Sequence, residues 1–329
     1  MSQVYDIAII GGGPVGMWAG FYAGFRGLKV LMIESTPELG GQVSFLYPDK
    51  EISDLPGIPS IKGRTLVDNL REQLMRFNPD IRTNEGVLDI DEEGDVFKIY
   101  TNKDSYTAKF IILSTGIGVF TPNKLPINLD SYEGHGVIYF VKDKAHFKGR
   151  KLLIVGGGNT AVDWALELKD IAKELTLIHR RDVFRALEKN VQRLMNSNIK
   201  VKLFYNLIDV NQENGELVAS IQSSQSNDIE KLHVDDILIL IGYKADMSIA
   251  KKWGLTMNSN GIKVDDYFQT SRKGIYAVGD TASPDHMIKE NLLVIEFAQA
   301  TIAVNAIKKS LEPTAPSFVH STTVTQQEL

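Results

Sequence analysis

Two segments of the chain, DIAIIGGGPVGMWAGFYAGFRGLKVLMIEST from Asp6 and KLLIVGGGNTAVDWALELKDIAKELTLIHRRD from Lys151, repeat one pattern: apolar strand, glycine turn, amphipathic helix, second apolar strand. The first turn reads Gly11-x-Gly13-x-x-Gly16, and the second, 145 positions on, reads Gly156-x-Gly158-x-x-Ala161. Glycines at this spacing allow a tight strand-to-helix reversal, close approach of the backbone to a pyrophosphate, and close packing of helix on strand. The helix N-terminus then directs unpaired N–H groups at the phosphates. Two copies in the same context predict an α/β chain with two Rossmann-like dinucleotide-binding domains, and 329 residues are enough for two such cores.

The residue that ends the second strand of such a unit reads the adenosine ribose. In the first copy this is Glu34, eighteen positions after Gly16, where a carboxylate accepts hydrogen bonds from ribose hydroxyls. In the second copy the equivalent position is His179, followed by Arg180 and Arg181, with Arg185 one turn further if a helix begins near Asp182. A carboxylate there would repel a 2′-phosphate, whereas guanidinium groups pair with one. The first unit therefore reads as a site for a nucleotide with a free 2′-hydroxyl and the second as a site for NADPH; the natural pairing is FAD with NADPH. Three further stretches fit FAD: the loop LGGQVSFLYPDK, whose glycines permit close approach and whose Gln42 can hydrogen-bond a cofactor; the strand GIYAVGDTA, running into Gly279 and Asp280; and FIILSTGIGVFTP, ending in Thr115 and Gly116.

Composition narrows the alternatives. A net charge of -5, without a long basic run, gives no electrostatic footprint for nucleic acid. Zero cysteines exclude disulfides, thiolate metal ligands and dithiol redox chemistry, and fit a cytoplasmic chain. The uncharged run Ile7 to Phe25 is long enough to span a membrane, but its glycine spacing favours the dinucleotide turn.

The motifs GGGPVG, ELGGQ, STG, GGGNTA, HRRDVFRA and YAVGD stand in the order and spacing of the two-domain thioredoxin reductases, whose NADPH domain carries a CxxC pair. The corresponding stretch here, near GVIYFVKDK, has no cysteine, so electrons cannot leave through a dithiol. LYPDKEISDLPG and the C-terminal FVHSTTV resemble more closely the thioredoxin-reductase-like ferredoxin/flavodoxin–NADP reductases of bacteria, over essentially the whole chain. That resemblance implies that Tyr47 stacks on one flavin face, and that His320, with Ser321 nearby, covers the other from the partner subunit of a homodimer. It also implies flavin contacts through the backbone of Val87 and Phe120. One departure stands out: where the family shows Gly-x-Gly-Glu at the start of the last long helix, this chain reads IEFAQA, with Glu296, Ala298 and Gln299.

The expected architecture is a discontinuous FAD domain, residues 1–117 and 246–329, with an NADPH domain, 118–245, inserted in it, each a three-layer ββα unit. The expected reaction is hydride transfer from NADPH to flavin followed by single-electron transfer to ferredoxin or flavodoxin, which needs positioning more than acid–base side chains. The resemblance further implies rotation of one domain against the other, with Tyr47 tilting to admit nicotinamide. An NADPH oxidase or quinone reductase and a non-catalytic NADPH sensor are the competing readings. Arg64, Arg71, Arg76 and Arg82 are candidates for steering an acidic carrier, or else a solvated helix face. Trp18, Trp164 and Trp253 read as packing residues.

Overall fold

The computed structural model describes residues 3–320 other than 117, 142, 214, 247 and 286–288. The chain divides into two units, 1–119 with 245–329, and 120–244.

In the discontinuous unit the first strand, β1 (Val4–Ile10), runs into a glycine turn and then α1 (Pro14–Phe25) and β2 (Val30–Ile33). β1 pairs in parallel with β2, Ile7 opposite Val30, and with Ser105–Leu113, Ile7 opposite Phe110. Covered on both faces, its residues Ile7 to Ile10 are buried, as a central parallel strand requires. Strand Ser105–Leu113 carries two partners along its other edge: Val96–Thr101 runs antiparallel against its first half, and Ile275–Ala277, from the far end of the chain, lies parallel to its last three residues.

The apolar character of α1 has a packing explanation. Its face at Gly20 and Gly24 is so close to its neighbours that a Cβ would come within 2.6 Å of Leu74 and 2.4 Å of Phe77; Leu74 belongs to α3 (Gly63–Met75), which follows the short α2 (Gly41–Leu46). The C-terminal helix, Leu293–Leu311, covers another face, where the Trp18 indole donates to Thr301 Oγ1 at 3.0 Å. A helix apolar all round is thus buried between helices. The run Ile7 to Phe25 splits into strand, turn and a 12-residue helix, and among the described residues no helix is long and apolar enough to cross a membrane. Trp18 stays in aromatic packing with Phe21, Tyr22 and Phe297, while Trp164 and Trp253 are buried.

The inserted unit carries a parallel five-stranded sheet in the order Val137–Ile138, Asp236–Ile239, Lys151–Val155, Glu174–His179, Lys200–Leu203. Alternation along its central strand sorts two cores. Leu152 and Ile154 pack with Val162, Ala165 and Leu168 of α4 (Asn159–Leu168), whereas Leu153 and Val155 pack with Leu217, Ala219 and Ile221 of an antiparallel meander, Tyr205–Glu213, Glu216–Ser223 and Ile229–Val234. Meander, sheet and helices form the three layers of a ββα unit. Its incoming and outgoing strands lie side by side, with Asn123 N–H donating to Gly242 O at 3.0 Å.

Candidate functional site

At the first glycine turn each glycine has its own steric reason. Gly11 is in the left-handed region, φ +106°, and a Cβ there would lie 2.4 Å from Ser114 O. A Cβ on Gly16 would lie 2.0 Å from Gly11 O, so only a bare Cα lets α1 sit this close to the turn. Gly13 caps α1 with no side-chain hydrogen bond, and a Cβ built on it would meet nothing nearer than Gly41 Cα at 3.8 Å. The helix N-terminus therefore faces open space. Gly41 is equally constrained, since its own Cβ would come 2.9 Å from Gly13 Cα. A backbone-lined opening at a helix dipole could hold a phosphate.

Glu34 directly follows β2 and is buried, and its carboxylate is anchored to the turn: Gly12 N–H donates to Oε2 at 2.7 Å, Thr36 N–H donates to Oε1 at 2.8 Å, and the Ser35 hydroxyl donates to Oε1 at 3.2 Å. A ribose hydroxyl would share or displace the Ser35 contact, a role for Ser35 that spacing from the glycines does not suggest. Val87 opens the strand Val87–Glu93, and Glu85 N–H donates to Glu34 O at 2.9 Å, which brings this segment beside the carboxylate.

The other side of the opening is assembled from distant sequence. Gln42, in α2, donates through Nε2 to Asp280 Oδ2 at 2.7 Å. Gly279 N–H donates to Gln299 Oε1 at 2.8 Å, tying the Asp280 turn to the C-terminal helix. Tyr47, half-buried at the end of α2, has its hydroxyl pushed up to about 12, first by burial and then by the charges of Asp280, Glu296 and Asp54. The structure thus brings Gly11, Gly13, Glu34, Gln42, Gly279 and Asp280 together about the N-terminus of α1, with Gly16 packed beneath the turn and Tyr47 at the end of the neighbouring α2. The donor set there suits an extended dinucleotide.

His320 does not join them. Arg26, buried past the last turn of α1, donates through Nη2 to Pro316 O at 2.6 Å and so holds the tail at the end of α1 opposite Gly13. His320 is exposed, its ring edge-on to that of Phe318 at 5.3 Å. Ser321 and the side chain of Phe120 lie outside the described residues; the Phe120 backbone belongs to strand Val119–Pro122.

The second turn, in the inserted unit, repeats the first with a different lid. Gly156 is left-handed at φ +157°, with a would-be Cβ 2.3 Å from Leu240 O, and Gly158 opens α4 with nothing nearer its would-be Cβ than Arg185 O at 4.0 Å. Ala161 is fully buried in the helical layer. The His179 ring covers Gly157, stacks on Phe184 at 5.1 Å, and directs Nε2 to Val183 O at 3.1 Å. Burial, and then the charges of Arg181, Arg180 and Arg185, push this imidazole below its ordinary value of 6.5, so it packs as a neutral ring. No helix begins near Asp182: the next helix, α5 (Glu188–Met195), starts later, and Arg185 reaches the turn through an isolated bridge to Gly158, its N–H donating to Gly157 O at 2.7 Å. The physical reason is that backbone groups of the glycine turn and Asn159, whose Oδ1 accepts from Leu187 N–H at 2.8 Å, satisfy the loop before a helix can. Arg180, Arg181 and Arg185 are exposed and form no ion pair among the described residues.

Elsewhere three of the four basic candidates are already engaged. Arg64 pairs with Asp49 at 2.6 Å, Arg71 lies 3.8 Å from Asp68, and Arg82 pairs with Asp80 at 3.0 Å, which favours the solvated-face reading for these three.

A family model described as pyridine nucleotide-disulphide oxidoreductase matches residues 5–306. The chain belongs to this family. It is 40% identical over 327 residues to a protein named ferredoxin–NADP reductase 2 from Shouchella clausii, covering 98% of each chain, and 41% identical over 316 residues to a ferredoxin–NADP reductase from Geobacillus thermodenitrificans, covering 95% of each. Among solved structures it resembles the thioredoxin reductase of Lactococcus lactis, with TM-score 0.78 and 28% identity over 93% of this chain and 98% of that one. The disulphide of the family description has no counterpart here, because the chain has no cysteine.

Proposed function

We propose that the chain is an FAD-dependent ferredoxin–NADP reductase of the cytoplasm, with FAD on the discontinuous unit and NADPH on the inserted one. The observation that carries this reading is the opposite chemistry at two equivalent strand ends: a buried carboxylate, Glu34, beside the first glycine turn, and the exposed guanidinium groups of Arg180, Arg181 and Arg185, without an ion pair among the described residues, beside the second. When bound, FAD supplies the conversion of a two-electron hydride from NADPH into single electrons for a ferredoxin or flavodoxin, which no side chain of this chain performs. The chain's own contributions are binding and orientation. The open N-termini at Gly13 and Gly158 hold pyrophosphates, Glu34 and Asp280 accept hydroxyl hydrogen bonds, Gln42 fixes Asp280, and Tyr47 offers a ring to one flavin face. The ferredoxin–NADP reductase relatives and the absence of a dithiol support a one-electron protein acceptor. The deciding experiment is an anaerobic titration of the purified flavoprotein with NADPH and NADH in parallel: bleaching of the flavin spectrum at far lower NADPH than NADH is expected, and equal response to both would overturn the arginine assignment.

The tail supports a homodimer. α1 is 12 residues long, about 18 Å, and Ser317 O accepts from Arg26 at its far end. Three further residues extend at most about 10 Å, so His320 stops short of the Gly13 end of its own α1. On this reading the tail of one copy, with His320, reaches the flavin of a second. Sedimentation of the full chain should give a dimer; a monomer with full activity would overturn this.

A further inference from the structure

The C-terminal helix brings to the site an acid that no glycine motif asks for. Glu296 lies in its first turn, 6% exposed, with Oε2 3.6 Å from the position a Cβ on Gly279 would take. That puts its carboxyl beside Asp280, the residue next to Gly279, whose Oδ2 accepts from Gln42 Nε2 at 2.7 Å. The Lys289 ammonium, whose charge opposes the rise at Glu296, donates to the backbone carbonyls of Asn260 at 2.6 Å and Asp280 at 2.5 Å and forms no ion pair with either acid among the described residues. The Tyr47 hydroxyl, raised first by burial and then by the charges of Asp280, Glu296 and Asp54, stays neutral.

A buried carboxyl beside a second acid holds its proton to higher pH than one in water. Asp280 Oδ2 is already fixed as an acceptor by the Gln42 amide. We propose that Glu296 and Asp280 share one proton and that Glu296 is a positioning acid, donating to Asp280 and so holding that carboxylate as the acceptor the dinucleotide meets. The proposal rests on reading this unit as the FAD site. Burial first, and then the charge of Asp280, push Glu296 up to about 8. Above that pH two adjacent anions repel each other and add negative charge to a pocket built for a pyrophosphate-bearing ligand.

The test uses the full chain freed of flavin. Infrared spectra at neutral pH should show a protonated carboxyl band that disappears as pH rises through about 8 and is absent in Glu296→Gln. FAD affinity of the wild type should be level below that pH and fall by up to about tenfold per pH unit above it; Glu296→Gln, which keeps a donor but cannot ionise, should bind with no such dependence. A neutral-pH spectrum without the band, or the same pH dependence in Glu296→Gln, would overturn the proposal. A band that titrates as expected in a chain that binds no FAD would uphold the shared proton and remove FAD as its ligand, separating the two readings.

Discussion

The two glycine turns share a backbone and differ in how they deploy charge. At the first, Glu34 is turned inward and held by the N–H groups of Gly12 and Thr36. At the second, Arg180, Arg181 and Arg185 stand exposed around a neutral His179 ring that serves as packing. A buried carboxylate needs donors from the protein before a ligand arrives, because an unpaired charge is costly away from water. An exposed guanidinium needs none, since water solvates it until a phosphate replaces the water. Under the proposed assignment, a hydroxyl-reading site is therefore prebuilt, whereas a phosphate-reading site keeps its cations solvated until the ligand arrives.

The largest effect should come from removing those cations. Arg180→Ala with Arg181→Ala deletes two charge-assisted contacts of roughly 1.5–3 kcal/mol each; KM for NADPH should rise on the order of 100-fold or more while KM for NADH stays put. Equal loss for both nucleotides would break the contrast between the turns. Next, Gly16→Ala places a Cβ against Gly11 O and should cost about 3 kcal/mol in denaturant unfolding, whereas the second turn already accepts an alanine, Ala161, at the same position. Gly13→Ala enters open space, so the melting temperature should hardly move while FAD affinity drops about tenfold. An unfolded Gly13→Ala would show that the space over Gly13 is not a ligand's.

The smallest effect is electrostatic. His179 is held below 6.5 in the folded chain, so unfolding takes up a proton in that window. Its contribution to stability is present above pH 6.5 and declines as pH falls through it. Melting curves of wild type and His179→Gln should therefore diverge only on the acid side, and curves that diverge on the alkaline side would contradict the neutral packed ring.

Glycine spacing and the strand-end residues made the doubled α/β plan legible, because turn sterics and ribose chemistry are local. Gln42 and Asp280 were legible as separate candidates, but their hydrogen bond spans most of the chain and has no sequence signature. Glu296 was visible only as a departure from a resembling family's pattern; its contact with Asp280 depends on where the last helix lands. The helix expected near Asp182 failed because Asn159 and the carbonyl of Gly157 capture the loop's N–H groups, a competition between segments that periodicity cannot register. The run from Ile7 was ambiguous for a related reason, as an apolar helix buried by other helices and one buried by lipid have the same composition.

The insertion also sets an order of events during synthesis. Residues 120–244 are contiguous, with their ends side by side at Asn123 and Gly242, so this unit can close as soon as it leaves the ribosome. The other unit must wait: strand Ile275–Ala277 fills the remaining edge of Ser105–Leu113, and the helix that covers α1 is the last in the chain. Until those residues emerge, α1 and an edge of the sheet stay uncovered, which makes the nascent N-terminal third the part most dependent on chaperones.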